Sequence, residues 1–211
     1  MFKKTFSIIS VGILALASTA TLAQDNLTTV NAPFGFKWGQ TEEKTLKTNP
    51  NMACNTLSDV PVRSCKVSVS PKPFSKAEFF QLLFVPNSGL QKVGMYGNDI
   101  TDDLYGSSGK AHYSKLQKSL TKKYGDKFTN FEYIGADLYD ESDEFYQCLA
   151  YSGCGAHASY WIDGLNGTIA LSLNGLSRGK GFLKLVYESK DWSRHLDEMK
   201  NDQESINDDS L

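Results

Sequence analysis

Thr168-Ile169-Ala170-Leu171-Ser172-Leu173-Asn174 and Gly181-Phe182-Leu183-Lys184-Leu185-Val186-Tyr187-Glu188 are the stretches whose reading decides the fold. In the first, Ile169, Leu171 and Leu173 fall on one side and Thr168, Ala170 and Ser172 on the other, the period-two alternation of a half-buried strand. The connection over residues 174–181 is rich in Gly and Asn, as hairpins need. A similar connection, Asp163-Gly164-Leu165-Asn166-Gly167, joins an earlier strand over residues 157–163. Hairpin turns rather than helical crossovers imply an antiparallel sheet, and with the helices found below the predicted class is α+β.

Working towards the N-terminus, residues 110–124 read as a helix. Tyr113, Leu116, Leu120 and Tyr124 recur at helical spacing, lysines occupy the other side, and Gly125 stands where a left-handed cap belongs. Residues 79–85 are apolar apart from Gln81 and are bounded by Pro86-Asn87-Ser88-Gly89, so a buried strand is expected there, with residues 90–96 as its hairpin partner. Cys65, Val67 and Val69 alternate in a further strand that Pro71 and Pro73 end. Thr41 can cap a short helix carrying Glu42 and Glu43 in its first turn and stopped at Asn49-Pro50-Asn51. Phe34, Phe36 and Trp38 would share one face of an edge strand. On the C-terminal side a last helix begins near Asp191, with Trp192, Leu196 and Met199 on one stripe, and gives way to a flexible acidic tail over residues 201–211. The pattern predicts a single domain over residues 24–200, with a tandem helix-plus-sheet repeat of halves 33–105 and 106–200 as an alternative that it leaves open.

Residues 1–23 read as an export signal. Lys3 and Lys4 supply the positive start, residues 8–16 an apolar stretch, and Thr21-Leu22-Ala23 a small-residue exit with cleavage near Ala23. That stretch falls well short of the ~20 residues that span a bilayer. No other apolar run is long enough, so the expected product is periplasmic or secreted and not membrane-spanning. The chain's formal net charge of −2 carries no basic footprint for nucleic acid.

Cys54, Cys65, Cys148 and Cys154 make an even set in an exported chain, which argues for two disulfides. Three pairings are open, and proximity favours Cys54–Cys65 with Cys148–Cys154. His112, His157 and His195 are too scattered to complete a zinc site with these thiols. Neither a metal nor a cofactor is expected.

Catalytic signatures are equally sparse. Gly106-Ser107-Ser108-Gly109-Lys110 superficially matches a phosphate-binding loop but fails on spacing and has Ala111 where Ser or Thr should follow. No Gly-x-Ser-x-Gly pentapeptide occurs. His157 with Asp163 or Asp137 is the one acid–base pairing to weigh. The stretch from Tyr133 to Trp161 is more suggestive, because aromatic residues are interleaved there with acids around the Cys148–Cys154 loop. Tyrosines on a preorganised loop suit protein binding, since rigid amphipathic side chains lose little entropy. The expected contact residues are Tyr139, Asp140, Glu141, Glu144, Tyr146, Tyr151 and Trp161, facing a basic partner.

Phe36-Lys37-Trp38-Gly39-Gln40-Thr41-Glu42-Glu43 resembles the opening of an uncharacterised exported bacterial protein family, and Gly89-Leu90-Gln91-Lys92-Val93 and Lys123-Tyr124-Gly125 resemble its later landmarks. More distantly, the order helix, cysteine pair, strands, helix, cysteine pair, strands is similar to the β-lactamase-inhibitor-protein-like fold, although here the second pair closes a tighter loop. That resemblance implies a tandem of helix-plus-sheet units presenting a concave face to a protein partner. The function expected is therefore a non-enzymatic periplasmic protein-binding module, an inhibitor or immunity-type factor acting on an envelope or incoming protein. An envelope structural or assembly factor binding peptidoglycan or lipid is the alternative, and a hydrolase using His157 the second.

Overall fold

Which side chains share a face of the sheet follows from how the strands are registered. The computed structural model describes residues 30–126, 128–135, 138–163 and 166–208. The export signal, Asp137 and residues 209–211 lie outside them. Helix α1 (Glu42–Thr48) precedes β1 (Ala53–Thr56), β2 (Arg63–Val67), β3 (Ala77–Val85) and β4 (Gly89–Gly97). Helix α2 (Ser107–Tyr124) then leads to β5 (Phe128–Tyr133), a 3-10 turn over Ser142–Glu144, and α3 (Phe145–Ala150). The chain continues through β6 (Ala156–Asp163), β7 (Gly167–Ser177) and β8 (Lys180–Glu188) to α4 (Trp192–Asp208).

The strands form one antiparallel sheet in the order β1-β2-β3-β4-β8-β7-β6-β5. Each half is a four-stranded meander, and the two final strands, β4 and β8, pair at the centre with Gly94 opposite Val186. The fold is thus α+β with an antiparallel sheet and packing helices, as its alternating strands and Gly-rich turns led us to expect.

Alternation assigns the faces. Phe80 and Leu82 on β3, Val93 and Met95 on β4, Leu185 and Tyr187 on β8, and Ile169 and Leu171 on β7 point to one side and build the main core. Tyr113 and Leu120 of α2 and Phe145 and Tyr146 of α3 close it. Among the described residues, a helix covers the other side at one end only, where Trp192, Leu196 and Met199 of α4 pack on Leu83 and Val85 of β3.

A β-bulge sets the central register. Val85 pairs with Gly89 and Phe84 with Leu90, but Leu83 pairs with Lys92, leaving Gln91 as the extra residue. Gln91 is buried and satisfied: its amide donates to the Ser88 carbonyl, its side-chain oxygen meets the Ser189 hydroxyl, and its backbone carbonyl accepts from Ser189 N–H. Were Gln91 paired in the ladder instead of bulged out, Phe79 would oppose Met95; because it is bulged out, Phe79 opposes Tyr96.

Some local expectations change. Phe34, Phe36 and Trp38 do not lie on a strand, because Phe34 and Gly35 take positive φ (55° and 80°) and turn the chain. The aromatics still reach the core through that turn, with Phe34 and Phe36 ring centroids 5.0 and 6.0 Å from that of Phe80. The expected flexible tail is helical as far as Asp208, since no Gly or Pro interrupts α4 after its packed stripe. Thr41 does cap α1, its hydroxyl accepting from Lys44 N–H. The short α3 and the edge strands β1 and β5 were not anticipated.

Candidate functional site

Beyond the reach of α4, the second face of the sheet is uncovered by any described helix, and the bulged register places an aromatic row on it. Phe79 and Tyr96 are a cross-strand pair with stacked rings, centroids 4.5 Å apart and planes 12° apart. Phe182, diagonal to Tyr96 across the β4–β8 seam, stacks on its other side with a centroid distance of 6.0 Å. Lys66 Nζ lies 3.9 Å from the Phe79 centroid and Lys184 Nζ 5.1 Å from that of Tyr96. The row is pinned from below, because Tyr96 donates its hydroxyl to Gln81 Oε1 and Gln81 donates its amide to Ser64 Oγ. All three rings are half-buried.

Towards β5 this face becomes small and polar over Ala170, Ser172 and Asn174, then aromatic again at Tyr160, Phe131 and Tyr133. Phe131 and Tyr133 are 46% and 54% exposed, and Phe131 meets Tyr160 edge to face. Glu188 at the α4 end is ion-paired to Lys92. The aromatic row itself therefore carries positive charge.

The residues expected to make contact from the sequence separate into two groups. Tyr146 and Trp161 are corrected: they are 0% and 4% exposed and belong to the core. Tyr146 fills the space over Gly175 and Gly181, and its hydroxyl donates to Asp103 Oδ2 at 2.8 Å. Tyr151 is exposed, Tyr139 is half-buried beside it, and their rings meet edge to face at 6.0 Å. Asp140 and Glu141 are exposed and Glu144 is half-buried. Glu141 and Glu144 cap the 3-10 turn reciprocally, and neighbouring Asp143 pairs with Arg178. Much of the acidic run therefore organises its own loop. Both disulfides form with the nearest-neighbour pairing, Cys54–Cys65 between β1 and β2 and Cys148–Cys154 from α3 to the turn before β6.

The segment Gly106-Ser107-Ser108-Gly109-Lys110 opens α2, and its anion position is already filled from within the chain. Asp103 accepts from Ser108 N–H at 3.1 Å and Gly109 N–H at 2.9 Å, so a carboxylate sits at the positive helix end. Burial pushes this carboxyl up, but the backbone N–H groups of Gly109, Ser108 and Ser107 and the Tyr146 hydroxyl outweigh it and hold Asp103 below the ordinary carboxylate value.

His157 and Asp163 stand six residues apart along β6, roughly 20 Å of strand. Asp137 lies outside the described residues. His157 instead packs against Tyr113 and Phe145, with ring centroids 4.3 and 6.0 Å away, and Glu132 is its cross-strand partner. Burial lowers its pKa, Glu132 opposing the shift and Lys110 reinforcing it. Nearby, Ser159 is fully buried and bonded to Tyr113, Gln117 and Asn130. Burial pushes the Tyr113 hydroxyl up to about 12. This network ties α2 to β5 and β6, and a serine with no exposed surface is not placed to attack a substrate.

Among the described residues, the one convergence of three potential metal ligands is Glu42 with Cys54 and Cys65. Those two sulfurs are spent on the disulfide, and Glu42 is engaged by Arg63 at 3.0 Å. No described helix is long and apolar enough to cross a membrane. No protein-family model, curated protein or solved structure matches the chain.

Proposed function

We propose that this chain is a non-enzymatic, extracytoplasmic protein-binding module whose contact surface is the open sheet face. The observation that carries the reading is the Phe79–Tyr96–Phe182 row, half-buried and lysine-flanked with no described helix over it. Its stacked rings and hydrogen-bonded base give a rigid surface, so binding orders little that is not already ordered. Two structural disulfides fit an oxidising compartment, which agrees with the export signal read at residues 1–23.

Charge selects the partner. Lys66 and Lys184 favour an acidic, partly apolar protein surface, in place of the basic partner that the acidic loop alone suggested. An inhibitor or immunity-type role against an envelope or incoming protein, as the resemblance to the β-lactamase-inhibitor-protein-like fold implies, is binding of this kind. A sugar polymer such as peptidoglycan is less well served, because Phe79 stacks on Tyr96 with Lys66 over its ring, and Tyr96 is flanked by Phe79 and Phe182.

The test is capture by the tagged mature protein from intact envelopes after crosslinking, comparing wild type with K66E/K184E and with D140K/E141K. The reading expects one stoichiometric protein, lost with K66E/K184E and kept with D140K/E141K. Loss only with D140K/E141K returns the contact to the acidic loop. Co-purification of sacculi or lipid with no dominant protein favours the structural role.

A further inference from the structure

The two halves of the sheet are roofed unequally on the core side, and the inequality leaves a cleft. The second half has α2, 18 residues long, whereas α1 in the first half is 7 residues and ends at Thr48. Where the end of β4 emerges from under α2, a cavity of about 660 Å³ remains. That is within the range, about 300–1,000 Å³, of small-molecule sites.

Its floor is apolar: Met95 from β4, Leu183 from β8 and Leu116 from α2, with Phe74 and Ile100 at the sides. Its rim carries Lys76, His112 and Lys115 against one carboxylate, Asp99. His112, Lys115, Leu116 and Ser119 recur along one flank of α2 at helical spacing, so a single helix supplies both floor and rim. The N-terminus of α2 is already occupied by Asp103, so recognition of an anion here falls to these side chains.

We infer that this cleft binds a small amphiphile with an apolar body and an anionic head, the body on Met95, Leu116 and Leu183 and the head at Lys76 and Lys115. An uncharged hydrocarbon would leave the cationic rim unused, and a fully polar anion would leave the floor uncovered. The site lies on the opposite side of the sheet from the aromatic row and does not depend on it.

The probe is cis-parinaric acid, a fluorescent fatty acid, titrated into the intact mature protein alongside its uncharged methyl ester. Wild type is expected to bind the acid saturably with one equivalent per chain. K76E/K115E, two exposed positions, should weaken the acid by about tenfold while leaving the ester within about twofold. L116W, which fills the floor, should abolish both, with circular dichroism confirming that each variant is folded. Absence of saturable binding by wild type overturns the inference, as does an affinity for the acid that K76E/K115E leaves unchanged. Should L116W unfold, the acid-versus-ester contrast in K76E/K115E decides alone.

Discussion

The two halves of this sheet share one meander and are closed by different means. Over β1–β4, the core is sealed by an aromatic turn, Phe34 and Phe36 on Phe80, with a short α1 and the Cys54–Cys65 staple between strands. Over β5–β8 it is sealed by two helices that are themselves locked together, since Asp103 binds both the start of α2 and the Tyr146 hydroxyl of α3. Beside the seam the two devices do not meet, and a cleft lined by α2, β4 and β8 stays open. The proposed amphiphile cleft opens beside the seam where the long helix has no counterpart.

The halves differ in how they are closed but not in whether they fold together, because Met95 and Leu185 pair across the seam inside one core. Phe80→Ala in the first half and Leu171→Ala in the second, both essentially buried, should each cost about 3–5 kcal/mol. Denaturant unfolding should remain a single transition in both variants, coincident by near- and far-ultraviolet circular dichroism. Two separated transitions would mean that the halves are independent units.

The caps sharpen the contrast. Asp103→Ala removes a buried carboxylate that accepts from Ser108 N–H, Gly109 N–H and the Tyr146 hydroxyl, and should cost about 3 kcal/mol. The corresponding loss in the first half, Thr41→Ala at the exposed cap of α1, should cost about 1 kcal/mol. Equal costs would remove the distinction between the two closures.

A smaller, pH-dependent effect belongs to the second half alone. His157 has its folded pKa below the unfolded value of about 6.5. Its contribution is fully present above that pH and is lost as pH falls through the lower folded pKa, because the ring must then be charged against Tyr113 and Phe145. Asp103, also depressed, adds a second loss only below about pH 4. Melting temperature should therefore drop as pH falls below about 6.5 in wild type and drop less in His157→Gln. An identical pH profile in that variant would show that His157 does not carry the effect.

The parts of the fold legible in the sequence are those where physics repeats along the chain. In β7 and the first helical stripe of α4, alternation or helical spacing runs long enough to read, and Pro86-Asn87-Ser88-Gly89 marks the β3–β4 turn. The six residues of α3 are too few to show a helical period, and β1 and β5 are edge strands with one neighbour each and little buried surface to impose alternation. The aromatic row was hidden for a different reason. Phe79, Tyr96 and Phe182 come from three strands, and only the bulge at Gln91 brings the first two opposite each other. The acidic, aromatic stretch was visible but mixed two populations. Trp161 stands on the inward side of an edge-ward strand, and Tyr146 is drawn inside by Asp103, whereas Tyr151 stays out.

The most direct test compares the open face with the disulfide loop in place. A photocrosslinking amino acid is introduced at Phe182 or at Tyr151 in the full-length chain, and intact envelopes are irradiated. The account predicts one discrete protein adduct from position 182 and none from position 151. An adduct from position 151 alone would contradict it and place the contact on the Cys148–Cys154 loop.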